Sequence, residues 1–568
     1  MLPILLNLVL WLPAVHGWGA VFAWLRRRYG GLPAAGYEEI EALLGVCVVA
    51  TLATLLHFFV AINGWAAGGL LAGGWLLAGL RLRAERKAKV SGALLAAGAI
   101  WLVVLALAAA QPPRNYDTGL YYLQSIAWLR AGPLAVGLGN LHGRLAYNSS
   151  WFAAAAALEV PGLAGSGAFV MSPLILWVWG MAISRSALRL LRTRAASVPD
   201  LIMGLSAGAF FLGTGSVVYN LGSPAPDLPA LALAVFLTVA FCRFLLDEAR
   251  RGYDVLLLLA LSLFAVTVKL SLLPLLALPA AAGLRLMVRH PRGASRWRQW
   301  ALLAALTTGV ILASWAITSF LQSGCWVYPA DLTCWPRVGW SVPHAAVITD
   351  YDSIRAWARW PGQPPALVLA NWDWFYKWLP GTLWQRSFSW PVGLFGIGLA
   401  GQWALSRATS ARQARAPLLL YALLGLGVAY WFWSAPAIRF GEGYLWALGL
   451  LSAGEFLAQV QQLALGRGRG LPWLVPAGTA LLTGVIVVKL ALGALPLLRA
   501  DPRTFLLDWP AIPAAAIDTI PLPSGAFVYH PATSDQCWLA PLPCTPYLDK
   551  HLVMTPLGGG RLMFTKPP

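Results

Sequence analysis

The polar side chains best suited to catalysis lie in the segment 111–165, directly after an apolar run that ends near Ala110. Asp117 begins a stretch with apolar residues at helical spacing, which predicts an amphipathic surface helix. A carboxylate here serves as a general base or a metal ligand, or only as a helix N-cap, for which Asp is a favoured residue. The neighbouring polar residues are candidate substrate-binding groups: Tyr116, His142, Arg144 and Asn148.

Two cations stand out because their surroundings are apolar. Lys269 lies in the outer part of a predicted span, where an ionisable side chain costs about 2.5–3.5 kcal/mol near the membrane centre. Arg439 lies between two spans, and its planar guanidinium fits phosphate oxygens. Both favour phosphate binding. The alternatives are snorkelling of Lys269 to the interface and an ion pair between Arg439 and Glu442.

Further carboxylates occur in other connectors between apolar runs. Asp227, between two prolines, either lines the same cavity or caps the helix that follows it. Three aspartates of the connector 321–390 are candidates for a second carboxylate, and their spacing does not select among them: Asp331, Asp350 and Asp352.

The elements that must position these residues are membrane helices. Of 568 residues, 59% are hydrophobic and 11% are charged, whereas soluble proteins carry about 25% charged residues. Apolar runs of about 20 residues recur along the chain and predict an all-α polytopic membrane protein with about 14 spans. The spans are predicted near 3–24, 41–62, 64–80, 91–110, 166–184, 200–220, 228–246, 255–272, 273–289, 300–320, 391–406, 416–434, 440–462 and 472–498.

The formal net charge of +19 is distributed unevenly between the connectors. Most of the 41 Lys and Arg residues lie in short connectors that fall on one side when the spans alternate, and the positive-inside rule makes that side the cytoplasm. The connectors 111–165 and 321–390 and the tail 499–568 then lie outside. This predicts a multi-pass protein of the cytoplasmic (inner) membrane, with its site loops on the periplasmic or extracellular side. Dispersed basic residues exclude a nucleic-acid partner.

Four of the six cysteines form two close pairs in the segments assigned to the outside. They are Cys325 with Cys334 and Cys537 with Cys544, and an oxidising compartment favours a disulfide in each pair. Neither pair has the C-x-x-C spacing typical of zinc sites. The tail 499–568 is therefore predicted to be a small extracytoplasmic appendage, pinned by Cys537 and Cys544.

The stretch Asn115-Tyr116-Asp117-Thr118-Gly119-Leu120-Tyr121-Tyr122, placed directly after a span, resembles the first outer loop of the GT-C superfamily of bacterial membrane glycosyltransferases. Gly139-Asn140-Leu141-His142-Gly143-Arg144, followed by Asn148-Ser149-Ser150-Trp151, also resembles a set of largely uncharacterised bacterial envelope membrane proteins. The resemblance is one of layout and short motifs over about 91–450. It implies a GT-C-like core at 91–498, three additional helices at 1–90 and an outer segment at 499–568.

The resemblance implies transfer of a sugar from a polyprenyl-phosphate-linked donor to a hydroxyl of a glycan, lipid or protein acceptor, in assembly of the cell envelope. Asp117 is then the base, while Lys269, Arg439 and Arg144 balance the leaving phosphate. Thr118 stands where the family often has a second acidic residue, so the sequence does not require a divalent metal. A polysaccharide polymerase of similar fold and a lipid-linked glycan transporter or flippase are the alternatives.

Overall fold

The computed structural model describes residues 1–29, 38–84, 91–163, 165–192, 197–212, 214–246, 252–289, 294–406, 418–466 and 474–566. Parts of the basic connectors, among them 85–90, 407–417 and 467–473, lie outside the described residues. The structure is mostly helical, at 74%. Its α-helices are α1 Leu2–Tyr29, α2 Glu38–His57, α3 Gly64–Ala84, α4 Gly92–Ala109, α5 Leu123–Ala131, α6 Ser150–Ala157, α7 Ser166–Arg192, α8 Val198–Leu205, α9 Ala207–Leu212, α10 Thr214–Leu221, α11 Asp227–Leu246, α12 Gly252–Val268, α13 Ala277–Arg289, α14 Ala294–Ser323, α15 His344–Arg359, α16 Pro365–Val368, α17 Asp373–Leu383, α18 Arg386–Leu405, α19 Leu418–Ser434, α20 Ile438–Gly466, α21 Leu474–Ala500 and α22 Pro502–Leu507.

Among the described residues, nine helices are long and apolar enough to cross a membrane, which fits a multi-pass membrane protein. They are Leu2–Arg28, Glu38–His57, Gly64–Ala84, Gly92–Ala109, Gly167–Arg192, Asp227–Leu246, Leu270–Arg289, Arg298–Ser323 and Ala477–Ala500. The helices α7 and α11 are the most enclosed of the nine, with 89% and 94% of their apolar windows buried. The core of the bundle therefore lies around these two helices.

Three of the five remaining predicted spans differ from the nine for local reasons. The helices α12 and α19 have 17 residues each, so each is about 25 Å long at 1.5 Å per residue. The span predicted at 200–220 is interrupted at Ser206, whose hydroxyl donates to the Met203 carbonyl at 2.6 Å. Such back-bonding competes with the helical hydrogen bonds and bends helices. The full count of fourteen stays a prediction.

The two kinds of connector meet at opposite ends of the bundle. At one end, the segment 111–165 contacts both 321–390 and the C-terminal segment, since Gly137 N–H donates to the Leu321 carbonyl at 2.7 Å and Phe564 N–H donates to the Val136 carbonyl at 2.9 Å. We call this the site end. At the other end lie basic residues that are predicted to orient the chain in the membrane. They form ion pairs with carboxylates; Arg81, for example, pairs with Glu41 at 2.8 Å.

The C-terminal segment contains two antiparallel β-hairpins, which were not predicted. They are formed by β1 Ile517–Pro521 with β2 Phe527–Pro531, and by β3 Val553–Gly558 with β4 Arg561–Thr565. The mostly helical structure thus fits the predicted all-α membrane protein, and the two hairpins lie within the predicted C-terminal appendage. Both predicted cysteine pairs lie at disulfide distance, with Sγ–Sγ separations of 2.02 Å for Cys325–Cys334 and 2.07 Å for Cys537–Cys544.

Candidate functional site

Asp117 lies between the end of α4 and a π-helical turn, Thr118–Tyr122, that leads into α5. It occupies the N-cap position of this turn, but its carboxylate forms no cap hydrogen bond, which removes the simple capping role. Instead, Arg439 Nη1 donates to Asp117 Oδ2 at 2.9 Å, and the Tyr122 hydroxyl lies 3.5 Å from the same oxygen. Among the described residues, no hydrogen bond is made to Oδ1. One carboxylate oxygen is therefore held and the other is left for a ligand.

The backbone around Asp117 is fixed from both sides. Asn115 accepts the Asp117 N–H at 2.9 Å on its Oδ1, and its Nδ2 donates to Asn220 at 2.7 Å. The hydroxyls of Thr118 and Ser223 are 2.7 Å apart in a buried contact. These bonds connect the loop that carries Asp117 to residues 220–223, which lead into α11. The loop of Asp117 and the start of α11, where Asp227 lies, are therefore held by the same contacts.

Lys269 lies at a break in the membrane helices rather than in the middle of a helix. α12 ends at Val268, and a 3-10 helix, Leu270–Leu276, begins directly after Lys269, whose backbone is extended. Its ammonium group forms an ion pair with Asp227, the first residue of α11, and donates to the Arg439 carbonyl at 3.0 Å. Because the helix breaks at this point, the Lys269 side chain can contact residues of both α11 and α20.

The structure thus brings four predicted residues into one chain of contacts: Asp227 to Lys269, Lys269 to the backbone of Arg439, and Arg439 to Asp117. The Phe440 ring lies beside both cations, 4.7 Å from Lys269 Nζ and 5.1 Å from Arg439 Cζ. The Lys269–Asp227 pair is nearly buried, with side chains 11% and 6% exposed, whereas Arg439 is 42% exposed. The chain of contacts holds two positive and two negative charges, and it opens to the surface at Arg439.

Two serines next to Asn148 support Lys269, and the sequence interpretation missed this role. Ser149 Oγ donates to the Val268 carbonyl at 2.8 Å, and the Ser150 hydroxyl lies 2.9 Å from that of Thr267. The Ser149 bond satisfies a carbonyl at the end of α12, where backbone carbonyls lack helical partners, and the Ser150 contact joins the two segments through their side chains. The only available signal was the pair of hydroxyl side chains after Asn148, a type that readily bonds nearby backbone.

Asn148 itself joins the segment 111–165 to α14. Its side-chain amide donates to the Trp315 carbonyl at 2.6 Å, and Trp315 Nε1 donates back to the Asn148 carbonyl at 2.6 Å. The contact places Asn148 among the supports of the site. A role in binding substrate stays a prediction.

Arg144 and His142 have different surroundings although they are two residues apart. Arg144 is half-buried and, among the described residues, its guanidinium makes no hydrogen bond or ion pair, although the charge of Asp117 acts on it. His142 is buried, and its ring meets the Tyr547 ring edge-on at 5.0 Å. Burial, together with the smaller effect of the Arg144 charge, lowers the pKa of His142 from 6.5 to about 3. His142 is therefore uncharged at neutral pH, and Arg144 is the cation.

Of the three candidate aspartates in the connector 321–390, Asp350 is the one whose carboxylate lies against Gly143, the residue before Arg144. Its Oδ2 accepts the Tyr328 hydroxyl at 2.6 Å, and a side chain at Gly143 would collide with it. Burial raises the pKa of Asp350, against the effects of Tyr328 and Arg144. The other two pair elsewhere, Asp331 with His344 and Asp352 with Arg355.

Tyr116 faces the C-terminal segment. Its hydroxyl donates to the Asp535 carboxylate, and Gln536 Nε2 donates to the Tyr116 carbonyl at 2.7 Å. Trp538 packs directly on Gly119, where an added Cβ would lie 2.4 Å from the indole ring. The C-terminal segment is therefore a wall of the site.

Among the described residues, no group of three or more His, Cys, Asp or Glu side chains is arranged to hold a metal ion. A family model described as "Domain of unknown function (DUF8201)" matches residues 1–446. No curated protein and no solved structure matches the chain.

Proposed function

This chain belongs to the family described as a domain of unknown function, DUF8201, and we propose that it is a membrane glycosyltransferase of GT-C type. It transfers a sugar from a polyprenyl-phosphate donor to an acceptor hydroxyl during assembly of the cell envelope. The observation that carries the proposal is Asp117, a carboxylate with one bound and one unbound oxygen beside a cluster of cations. The proposal includes about 14 spans and a site on the outer face of the cytoplasmic membrane.

The base is Asp117. The acceptor hydroxyl attacks the anomeric carbon of the donor, a new carbon–oxygen bond forms there, and the bond from that carbon to the phosphate oxygen breaks. The hydroxyl proton passes to Asp117 Oδ1, the oxygen without a hydrogen bond among the described residues, and polyprenyl phosphate leaves. Attack opposite the leaving group inverts the anomeric configuration.

The cations stabilise the phosphate, on which negative charge develops as the bond breaks. Before reaction, Lys269 and Arg439 are neutralised by Asp227 and Asp117. Arg144 has no such partner among the described residues, so it provides the positive charge that attracts the donor. When Asp117 takes the proton it loses its charge, and Arg439 is then free to act on the phosphate at the moment of bond cleavage.

The position of the cluster also suits a lipid-linked donor. Lys269 follows the apolar helix α12 and precedes the apolar span Leu270–Arg289, so the phosphate of a polyprenyl chain within the membrane reaches the site end without leaving the lipid. A water-soluble donor would not need a cation such as Lys269 between two apolar membrane helices.

The test compares lipid and glycan extracts of a strain that lacks the gene with strains carrying the wild-type protein, Asp117→Asn or Asp117→Ala at equal membrane abundance. We expect an unmodified acceptor in the deletion strain and in both variants, and a glycosylated acceptor with the wild type. Sugar transfer at the wild-type level by both Asp117 variants would contradict the proposal. Accumulated lipid-linked repeat units would indicate a polymerase instead.

A further inference from the structure

Two half-exposed tyrosines and one carboxylate form a surface beside Asp117. Tyr116 is 51% exposed and Tyr547 is 50% exposed, although each is held by neighbouring groups. Tyr116 donates its hydroxyl to Asp535. We call these three residues the tyrosine patch. An aromatic ring kept partly open to water but fixed in place is suited to contact a ligand.

Both tyrosines are fixed by contacts between the C-terminal segment and the segment 111–165. Tyr547 rests on the buried His142 ring, and next to it the Thr545 hydroxyl donates to the Leu141 carbonyl at 2.9 Å. Gln536 binds the backbone of Tyr116. The disulfide between Cys537 and Cys544 joins the two stretches that carry these contacts, which lie just before and just after the loop that it closes. The rings are thus held in position before any ligand arrives, which lowers the entropy cost of binding.

The two tyrosines belong to one surface, because the Cys537–Cys544 disulfide, with Cα atoms 6.1 Å apart, joins the stretch that binds Tyr116 through Asp535 to the stretch that carries Tyr547. The hydrogen bond to Asp535, followed by burial and by the charge of Asp535, raises the pKa of Tyr116 to about 12. Tyr116 directly precedes Asp117 in the chain and bonds to the C-terminal segment, so the patch lies between Asp117 and that segment.

We propose that the tyrosine patch binds a saccharide, and hence that the acceptor of this enzyme is a glycan. A sugar ring presents an apolar C–H face to an aromatic ring and hydroxyls to a carboxylate, which is the combination that Tyr116, Tyr547 and Asp535 offer. An acyl chain has no partner for Asp535 or Arg144. The inference rests on the proposed function, because the patch is named an acceptor site through the position of Tyr116 directly before Asp117.

The experiment measures glycan binding separately from transfer. The full-length protein in lipid nanodiscs is applied to a glycan array that spans neutral, amino and acidic sugars in both anomeric configurations. We expect the wild type to bind a defined set of glycans, and the Tyr116→Ala/Tyr547→Ala variant to bind them about tenfold more weakly or less. Tyr116→Phe/Tyr547→Phe keeps both rings and should bind within about threefold of the wild type.

Two controls separate the outcomes. Tyr376→Ala removes a tyrosine that is 76% exposed on α17, outside the patch, and should leave binding unchanged. Asp117→Asn should bind the glycans but not transfer sugar. Absence of glycan binding by the wild type, or equal binding by the alanine variant, overturns the inference and leaves the transferase proposal standing. Glycan binding through the patch without transfer by the wild type overturns the transferase proposal alone.

Discussion

Arg439 Nη1 donates to Asp117 Oδ2 at 2.9 Å, although the two residues are 322 positions apart in the chain. The contact joins the loop after α4 to the first turn of α20. It leaves Oδ1 of Asp117 without a hydrogen bond among the described residues. The positive charge of Arg439 is paired only while the Asp117 carboxylate is deprotonated. Proton uptake by Asp117 therefore changes what Arg439 can bind.

Arg439→Gln should lower the transfer rate about 100-fold or more, the usual loss when a positioned donor to a developing negative charge is removed. Arg439→Lys keeps the charge but not the planar fork, so we expect it to restore only part of the rate. The measurement is sugar transfer by purified protein in nanodiscs, with melting temperatures as the control for folding. A fully active Arg439→Gln variant would contradict the role given to Arg439.

The pair between Lys269 and Asp227 allows structure and function to be separated. Removing one partner leaves the other charge buried, so Lys269→Met and Asp227→Leu should each lower the free energy of unfolding by about 3–5 kcal/mol. The double variant removes both charges and should recover most of that loss. Since it still lacks the phosphate-binding ammonium, it should remain inactive.

The measurements for this pair are thermal unfolding and sugar transfer on the two single variants and the double variant. A double variant that is both stable and active would show that the pair is only structural. Recovery of stability without recovery of activity is the result expected of a cation that acts on the substrate.

Ser149→Ala should shift Lys269 without touching the substrate. The change leaves the Val268 carbonyl at the end of α12 without its hydrogen bond, at a cost of about 1–3 kcal/mol. We expect a decrease in kcat with a small change in the KM for the acceptor. Ser149→Thr keeps the hydroxyl and should retain most of the activity. A larger effect on the acceptor KM than on kcat would contradict a positioning role.

Sequence reasoning predicted the residues of the site individually, because charges in apolar surroundings are costly and therefore informative. It did not predict how they pair. The sequence offers Glu442, three residues away, as an ion-pair partner for Arg439. In the structure the partner of Arg439 is Asp117, which only the packing of the helices brings near. The same limit applies to the C-terminal segment. Its strands are short and prolines lie within them, so no periodic pattern marked them.

The pH dependence of stability should contain a contribution from His142. The folded protein keeps this ring neutral down to a pKa of about 3, whereas the unfolded chain takes up a proton near pH 6.5. The stability that the neutral ring provides is therefore complete above pH 6.5 and decreases as the pH falls toward 3, by at most about 1.4 kcal/mol per pH unit. His142→Phe keeps an aromatic ring against Tyr547 and does not titrate. Thermal unfolding in nanodiscs between pH 7 and pH 4 should show a smaller acid loss for the variant than for the wild type, and parallel curves would mean that His142 is accessible to protons in the folded state.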